Sequence, residues 1–101
     1  MRVLIVGLGI QGYKRRSIAG IECIATVDPA NSDADYRNIA DISPAEYEAV
    51  LICVPDEEKI NLIRFCIKNK KHVLVEKPLW GTSEEELAEI ETLAHKAGVL
   101  I

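Results

Sequence analysis

An apolar run that passes directly into a glycine-rich turn is the feature that most constrains the fold of this chain. Residues 2–6 read RVLIV, and the hexapeptide GLGIQG from Gly7 to Gly12 follows at once. A short, continuous run rich in Val predicts a β-strand that is covered on both faces. A G-x-G-x-x-G turn between a strand and a helix is the pattern of a dinucleotide-binding βαβ unit.

The other apolar runs alternate with segments of helical pattern. Further strands are predicted at Ile21–Val27, Ala49–Val54 and His72–Val75, with a brief one at Arg37–Ile42, a loop at Ala30–Tyr36 and a last strand beginning at Val99. Helices are predicted over Gln11–Ile18, after an N-cap at Asp56, and from a Ser83/Glu86 capping box to Gly98. We therefore predict an α/β fold with a Rossmann-type doubly wound parallel sheet in three αβα layers, formed by one domain over residues 1–101.

Composition and charge exclude several classes of protein. The formal net charge of -4 argues against a nucleic-acid-binding face. We expect no membrane span, because no apolar run approaches the roughly 20 residues that one needs. The three cysteines have no zinc or redox spacing, so we expect no metal and interpret the cysteines as buried free thiols of a reducing cytoplasm. We see no secretory signal ahead of the first strand.

An acidic residue completes the glycine pattern. Asp28 lies 28 − 7 = 21 positions after Gly7, at the end of the second predicted strand. A carboxylate there accepts hydrogen bonds from the adenosine ribose, while the pyrophosphate lies beside Gly9 at the helix N-terminus. Because it would repel a 2′-phosphate, we predict NAD over NADP. The alternatives are a bare turn for the glycines and a solvated turn acid for Asp28.

Three segments together resemble one family. GLGIQG, ICVPDEEK (Ile52–Lys59) and HVLVEKPL (His72–Leu79) resemble the glucose–fructose oxidoreductase/inositol dehydrogenase (Gfo/Idh/MocA) family over essentially all 101 residues, but only its N-terminal nucleotide domain. The resemblance implies an NAD-dependent dehydrogenase that moves hydride to or from a sugar, polyol or nucleotide-sugar carbon. It makes Lys77 a catalytic residue that deprotonates or polarises the hydroxyl. The chain departs from the family at Asp56, where Asn is usual, and at Lys59, where His is usual.

The resemblance also predicts which residues hold the cofactor. These are Gly7, Leu8, Gly9, Ile10, Gln11, Gly12, Asp28, Pro55, Asp56, Glu76, Lys77 and Pro78. The family's catalytic histidine and substrate site lie in a C-terminal domain, which we do not find here. We therefore expect a fragment that is inactive alone, cut from a cytoplasmic protein that forms a homo-oligomer. Two other interpretations stay open, a free-standing NAD sensor or partner-docking module, and a scaffold that binds nothing.

Overall fold

One four-stranded parallel sheet organises the computed structural model, which describes residues 1–75 and 83–99. Its strands are β1 (Val3–Val6), β2 (Cys23–Val27), β3 (Ala49–Ile52) and β4 (His72–Val75). They lie in the order β2-β1-β3-β4, and each neighbouring pair is parallel. The predicted Rossmann-type α/β fold is confirmed, and the strand order reverses between β1 and β3.

In the described part of the chain, three α-helices cover the sheet. Helix α1 (Ile10–Ala19) joins β1 to β2, α2 (Asp56–Lys68) joins β3 to β4, and α3 (Glu84–Ala97) follows. Because parallel crossovers are right-handed, and β2 and β4 lie on opposite sides of the central pair, α1 covers one face and α2 the other. Helix α3 lies beside α2, where the Arg64 guanidinium donates to the Glu89 carboxylate at 2.8 Å. The three predicted layers are therefore α1, the sheet, and the pair of helices α2 and α3.

The ends of α3 follow the predicted caps, whereas the start of α2 does not. The Ser83 hydroxyl accepts a hydrogen bond from the Glu86 N–H at 3.1 Å, and Gly98 ends the helix with a left-handed φ of 72°. At α2 the N-cap is Pro55, whose ψ of 153° is extended, and Asp56 is the first helical residue. The prediction of Asp56 as the N-cap is therefore wrong by one position, since the proline already supplies the non-helical residue that precedes the first turn.

The strand predicted at residues 37–42 is wrong. Among the described residues between β2 and β3, only Tyr36 pairs with β2, through a single parallel bridge to Val27. The chain then turns into a short 3₁₀ helix, because the Asn38 side chain accepts a hydrogen bond from the Ala40 N–H at 2.9 Å. The two isoleucines of the segment are buried in the core, so their apolar pattern reflects burial rather than a strand.

The core lies between the sheet and the helices α2 and α3. The predicted apolar stripe of α2 contributes to it, with Ile63 fully buried and Ile67 nearly so. Cys66 is also buried, and burial raises the pKa of its thiol to about 12. Cys23 and Cys53 are only half-buried, so the expected burial of all three thiols is wrong for these two.

The described residues show neither a membrane-spanning helix nor a metal cluster. No helix within residues 1–75 and 83–99 is both long and apolar enough to cross a membrane. In the same part of the chain no three His, Cys, Asp or Glu side chains are grouped so as to hold a metal ion.

Tyr47 is a buried residue whose hydroxyl has no hydrogen-bond partner in the described part of the chain. Its ring lies 4.9 Å below the Lys71 ammonium, which donates to the Tyr47 carbonyl at 2.7 Å. We expect Tyr47→Phe to leave the free energy of unfolding unchanged or to raise it by up to about 1 kcal/mol, because no hydrogen bond is lost and a desolvated hydroxyl is removed. Urea denaturation of the purified chain measures this.

Tyr13→Phe is the matched control. The Tyr13 hydroxyl donates to the Asp33 carboxylate at 2.9 Å, so its removal should lower the free energy of unfolding by about 1 kcal/mol. A larger loss in Tyr47→Phe than in Tyr13→Phe would contradict the unpartnered state of the Tyr47 hydroxyl.

Candidate cofactor-binding site

A cleft of about 900 Å³ opens at the carboxyl ends of β1, β2 and β3. One wall comes from residues 28–30 and 37–39, which follow β2, and the other from residues 53–55 and the first two turns of α2. The strand order reverses between β1 and β3, and open α/β sheets bind ligands at such a reversal. The volume is in the range of pockets that bind small ligands and cofactors.

The three glycines of the turn differ in whether the fold requires a residue without a side chain at their position. Gly7 has a φ of 95°, and a Cβ there would lie 2.5 Å from the Cys53 carbonyl oxygen. A Cβ on Gly12 would overlap the carbonyl oxygen of Gly7, because α1 lies directly on the turn. A Cβ on Gly9 would meet no protein atom within 4 Å. The fold therefore requires Gly7 and Gly12, while Gly9 leaves open space where a ligand can approach the backbone.

The N-terminus of α1 offers hydrogen-bond donors to this space. Gly9 is the N-cap, and no side chain of the described residues caps the helix there. The N–H groups of a first helical turn have no acceptor within the helix, and they carry the positive end of its dipole. Ile10 and Gln11, the first two residues of α1, are exposed and line the cleft. This arrangement suits an anion such as a pyrophosphate.

Asp28 joins the glycine turn to the loop that follows β2. Its Oδ2 accepts a hydrogen bond from the Leu8 N–H at 2.8 Å, and its Oδ1 accepts from the N–H groups of Ala30 (2.8 Å) and Asn31 (3.1 Å). These backbone donors, Ala30 foremost and Leu8 next, lower the pKa of the Asp28 carboxyl, so the group is an anion at neutral pH. A carboxylate has about four acceptor positions, so one remains for a ligand hydroxyl.

A second link, which no sequence pattern predicted, reinforces this junction. The Asn31 side-chain amide donates to the Leu8 carbonyl at 2.7 Å and to the Tyr13 hydroxyl at 3.2 Å. Leu8 is thus held through both its N–H and its C=O, and the hexapeptide turn has a fixed position on the loop. No spacing rule marks Asn31 in the sequence, because the link joins residues 23 positions apart.

The structure brings together half of the predicted cofactor-binding residues. Those that line the cleft are Gly7, Gly9, Ile10, Gln11, Asp28 and Pro55. Leu8 and Gly12 are buried behind the turn. The side chain of Asp56 and all of Glu76, Lys77 and Pro78 lie outside the described residues, so their predicted roles are not tested. Lys59 is only 9% exposed and is not among the residues that line the cleft.

Several residues of the cleft were not predicted. Among them are Arg37, Asn38, Glu58, Asn61 and Leu62. The last three share the face of α2 that begins at Pro55, and their helical spacing is a signal that could have identified them. Arg37 follows the single bridge to β2, and its guanidinium donates to the Pro29 carbonyl at 3.0 Å. No sequence pattern indicates Arg37, because it reaches the cleft only through that tertiary contact.

Comparison with protein families gives one match over the whole chain. The model of the Gfo/Idh/MocA family, described as "Oxidoreductase family, NAD-binding Rossmann fold", matches residues 1–101. No curated protein matches the chain.

Solved structures share the fold. D-galactose-1-dehydrogenase from Rhizobium etli is 27% identical, with a TM-score of 0.81 over 97% of this chain and 35% of that one. UDP-N-acetylglucosamine 3-dehydrogenase GnnA from Acidithiobacillus ferrooxidans is 20% identical, with a TM-score of 0.85 over 98% and 36%. The WlbA (WbpB) dehydrogenase from Thermus thermophilus, solved with NAD and alpha-ketoglutarate, is 20% identical, with a TM-score of 0.81 over 98% and 39%. The chain thus spans about a third of the length of these proteins.

Proposed function

The chain belongs to the Gfo/Idh/MocA oxidoreductase family and carries its NAD-binding Rossmann domain, and we propose that it holds NAD for hydride transfer to or from a hydroxyl-bearing carbon. The substrate class we propose is a sugar, polyol or nucleotide-sugar. Support for that class comes from the solved relatives, two of which are named as dehydrogenases of galactose and of UDP-N-acetylglucosamine.

One observation supports the assignment of parts of the cofactor to particular residues. In a single cleft the open position at Gly9, the uncapped start of α1 and the ionised Asp28 lie together. We assign the pyrophosphate to the N–H groups of the first turn of α1 and a ribose hydroxyl to the remaining acceptor position of Asp28. Bound NAD supplies the hydride chemistry, while these residues bind and orient it.

Substrate binding and proton transfer extend the proposal to a longer protein. Since the solved relatives are about three times as long as the matched segment, we propose that a further domain supplies the substrate site and a histidine that shares proton transfer with Lys77. On this proposal the chain alone does not turn over substrate. A homo-oligomeric state and a cytoplasmic location stay predictions.

Cofactor discrimination tests the role of Asp28. Calorimetric titration of the purified chain should show NADH binding at least about tenfold more tightly than NADPH, because the carboxylate repels a 2′-phosphate. Asp28→Asn should weaken NADH binding by about tenfold and bring the two affinities close together, since it removes the charge and an acceptor. Asp41→Asn, at an exposed position that does not line the cleft, should leave both affinities unchanged.

Three results would count against the proposal. Equal affinity of the unmodified chain for NADH and NADPH would remove the discriminating role of Asp28. Absence of binding by any dinucleotide would contradict a cofactor site complete in this chain. Binding in the longer protein without turnover of any sugar would favour the alternative of an NAD sensor.

A further inference from the structure

Helix α1 carries the donors that we assign to the pyrophosphate, although little apolar packing holds this helix in place. Of its ten residues only Gly12 is buried, while Ile10 and Ile18 are each 78% exposed. Most helices of folded proteins owe their stability and position to an apolar face that packs on the core. The position of the first turn of α1 therefore depends on polar contacts to a larger extent than is usual.

A cluster of polar side chains beside the cleft supplies such contacts. We call Tyr13, Asn31 and Asp33 the clamp, and none of the three lines the cleft. The Asn31 carboxamide donates a hydrogen bond to the Tyr13 hydroxyl at 3.2 Å, and this hydroxyl donates to the Asp33 carboxylate at 2.9 Å. The same carboxamide donates to the Leu8 carbonyl at 2.7 Å. The clamp thus ties both the glycine turn and α1 to the loop after β2.

The direction of these hydrogen bonds makes the clamp specific. The carboxamide of Asn31 uses its donors for Leu8 and Tyr13, and its oxygen accepts from the Asp33 N–H at 2.9 Å, so its orientation is fixed. The chain of donors ends on the Asp33 carboxylate, and a hydrogen bond to such an acceptor is about twice as strong as one between neutral groups. Successive hydrogen bonds of this kind also strengthen one another.

On the basis of the proposed NAD site, we propose that the clamp positions the first turn of α1 for the pyrophosphate. Tyr13 is the fourth residue of α1, and its N–H donates to the Gly9 carbonyl at 3.0 Å, which closes the turn whose other N–H groups face the cleft. The clamp therefore acts on the donors themselves. A turn that is already in place does not have to be ordered when a ligand binds, and the affinity is higher by that cost.

The first test is a calorimetric titration of single-atom variants of the purified chain with NADH. Tyr13→Phe keeps the ring and removes the hydroxyl, and we expect it to weaken NADH binding about fivefold, since the link to Asn31 and Asp33 is lost. Tyr36→Phe is the matched control. It makes the same change at an exposed tyrosine that follows the same loop and does not line the cleft, so the affinity should stay unchanged.

Rescue and coupling distinguish positioning from general damage to the loop. Asp33→Ala should weaken NADH binding about fivefold, whereas Asp33→Asn retains an acceptor for the Tyr13 hydroxyl and should recover most of the affinity. Asn31→Ala removes the links to both Leu8 and Tyr13 and should weaken binding about tenfold. Addition of Tyr13→Phe to Asn31→Ala should weaken it little further, because the hydroxyl acts on the glycine turn through Asn31.

The outcomes separate this inference from the proposed function. Urea denaturation of the same variants shows whether the clamp is merely structural, in which case stability falls while the folded chain keeps the NADH affinity of the unmodified chain. That result overturns the positioning role and leaves the NAD site intact. Equal losses in Asp33→Asn and Asp33→Ala, or additive losses in the double variant, also overturn it. Failure of the unmodified chain to bind NADH removes the proposed function and this inference together.

Discussion

Gly12→Ala is expected to lower the free energy of unfolding by about 3 kcal/mol or more, which is a large part of the stability of a domain of this size. The added Cβ would overlap the Gly7 carbonyl oxygen, which is backbone and cannot rotate away as a side chain does. Helix α1 would have to move off the turn that joins it to β1. Thermal or urea denaturation followed by circular dichroism measures the loss.

Gly9→Ala is the matched control in the same hexapeptide. Its Cβ meets no protein atom within 4 Å and its φ is −97°, so stability should change by less than about 0.5 kcal/mol. The methyl group would instead occupy the approach to the first turn of α1, and NADH affinity should fall by at least about tenfold, or about 1.4 kcal/mol. Wild-type stability in Gly12→Ala, or wild-type NADH affinity in Gly9→Ala, would contradict this division of roles.

Lys77→Ala should lower kcat by about 10²- to 10⁴-fold in the longer protein that we propose. Lys77 follows β4 by two residues, and β4 is parallel to β3, whose carboxyl end leads into the cleft. Parallel strands end at one edge of a sheet, and this rule supports the proposal that the lysine acts beside the cofactor. An amine near oxidised nicotinamide has a lowered pKa and can accept the proton of a substrate hydroxyl.

Two further variants distinguish proton transfer from simple charge. Lys77→Arg keeps the charge but does not release a proton at neutral pH, so its kcat should stay low. Lys68→Ala, at an exposed position near the end of α2, should retain full turnover. Turnover near wild type in Lys77→Ala would remove the catalytic role, and recovery in Lys77→Arg would show that charge alone suffices.

The segment after β2 shows where sequence patterns fail. A strand is predicted over residues 37–42, but Asp35 and Asn38 compete with sheet pairing through their side chains. The Asp35 carboxylate accepts hydrogen bonds from the N–H (2.9 Å) and hydroxyl (3.2 Å) of Thr26 on the edge of β2. Asp and Asn side chains can form hydrogen bonds with backbone groups that would otherwise pair with a neighbouring strand. Whether they form them depends on which strand edge lies within reach of the side chain.

The local amino-acid sequence was enough to predict the alternation of strands and helices, the glycine turn and the position of Asp28. These features depend on side-chain periodicity and on separations of a few residues within one βαβ unit, so neighbouring residues specify them. The donors to Asp28 and the positions of Arg37 and Asn61 depend on the strand order β2-β1-β3, which joins segments distant in sequence at one edge of the sheet. Tertiary packing alone settles such contacts, because the loop after β2 and the helix α2 come together only when the sheet has formed.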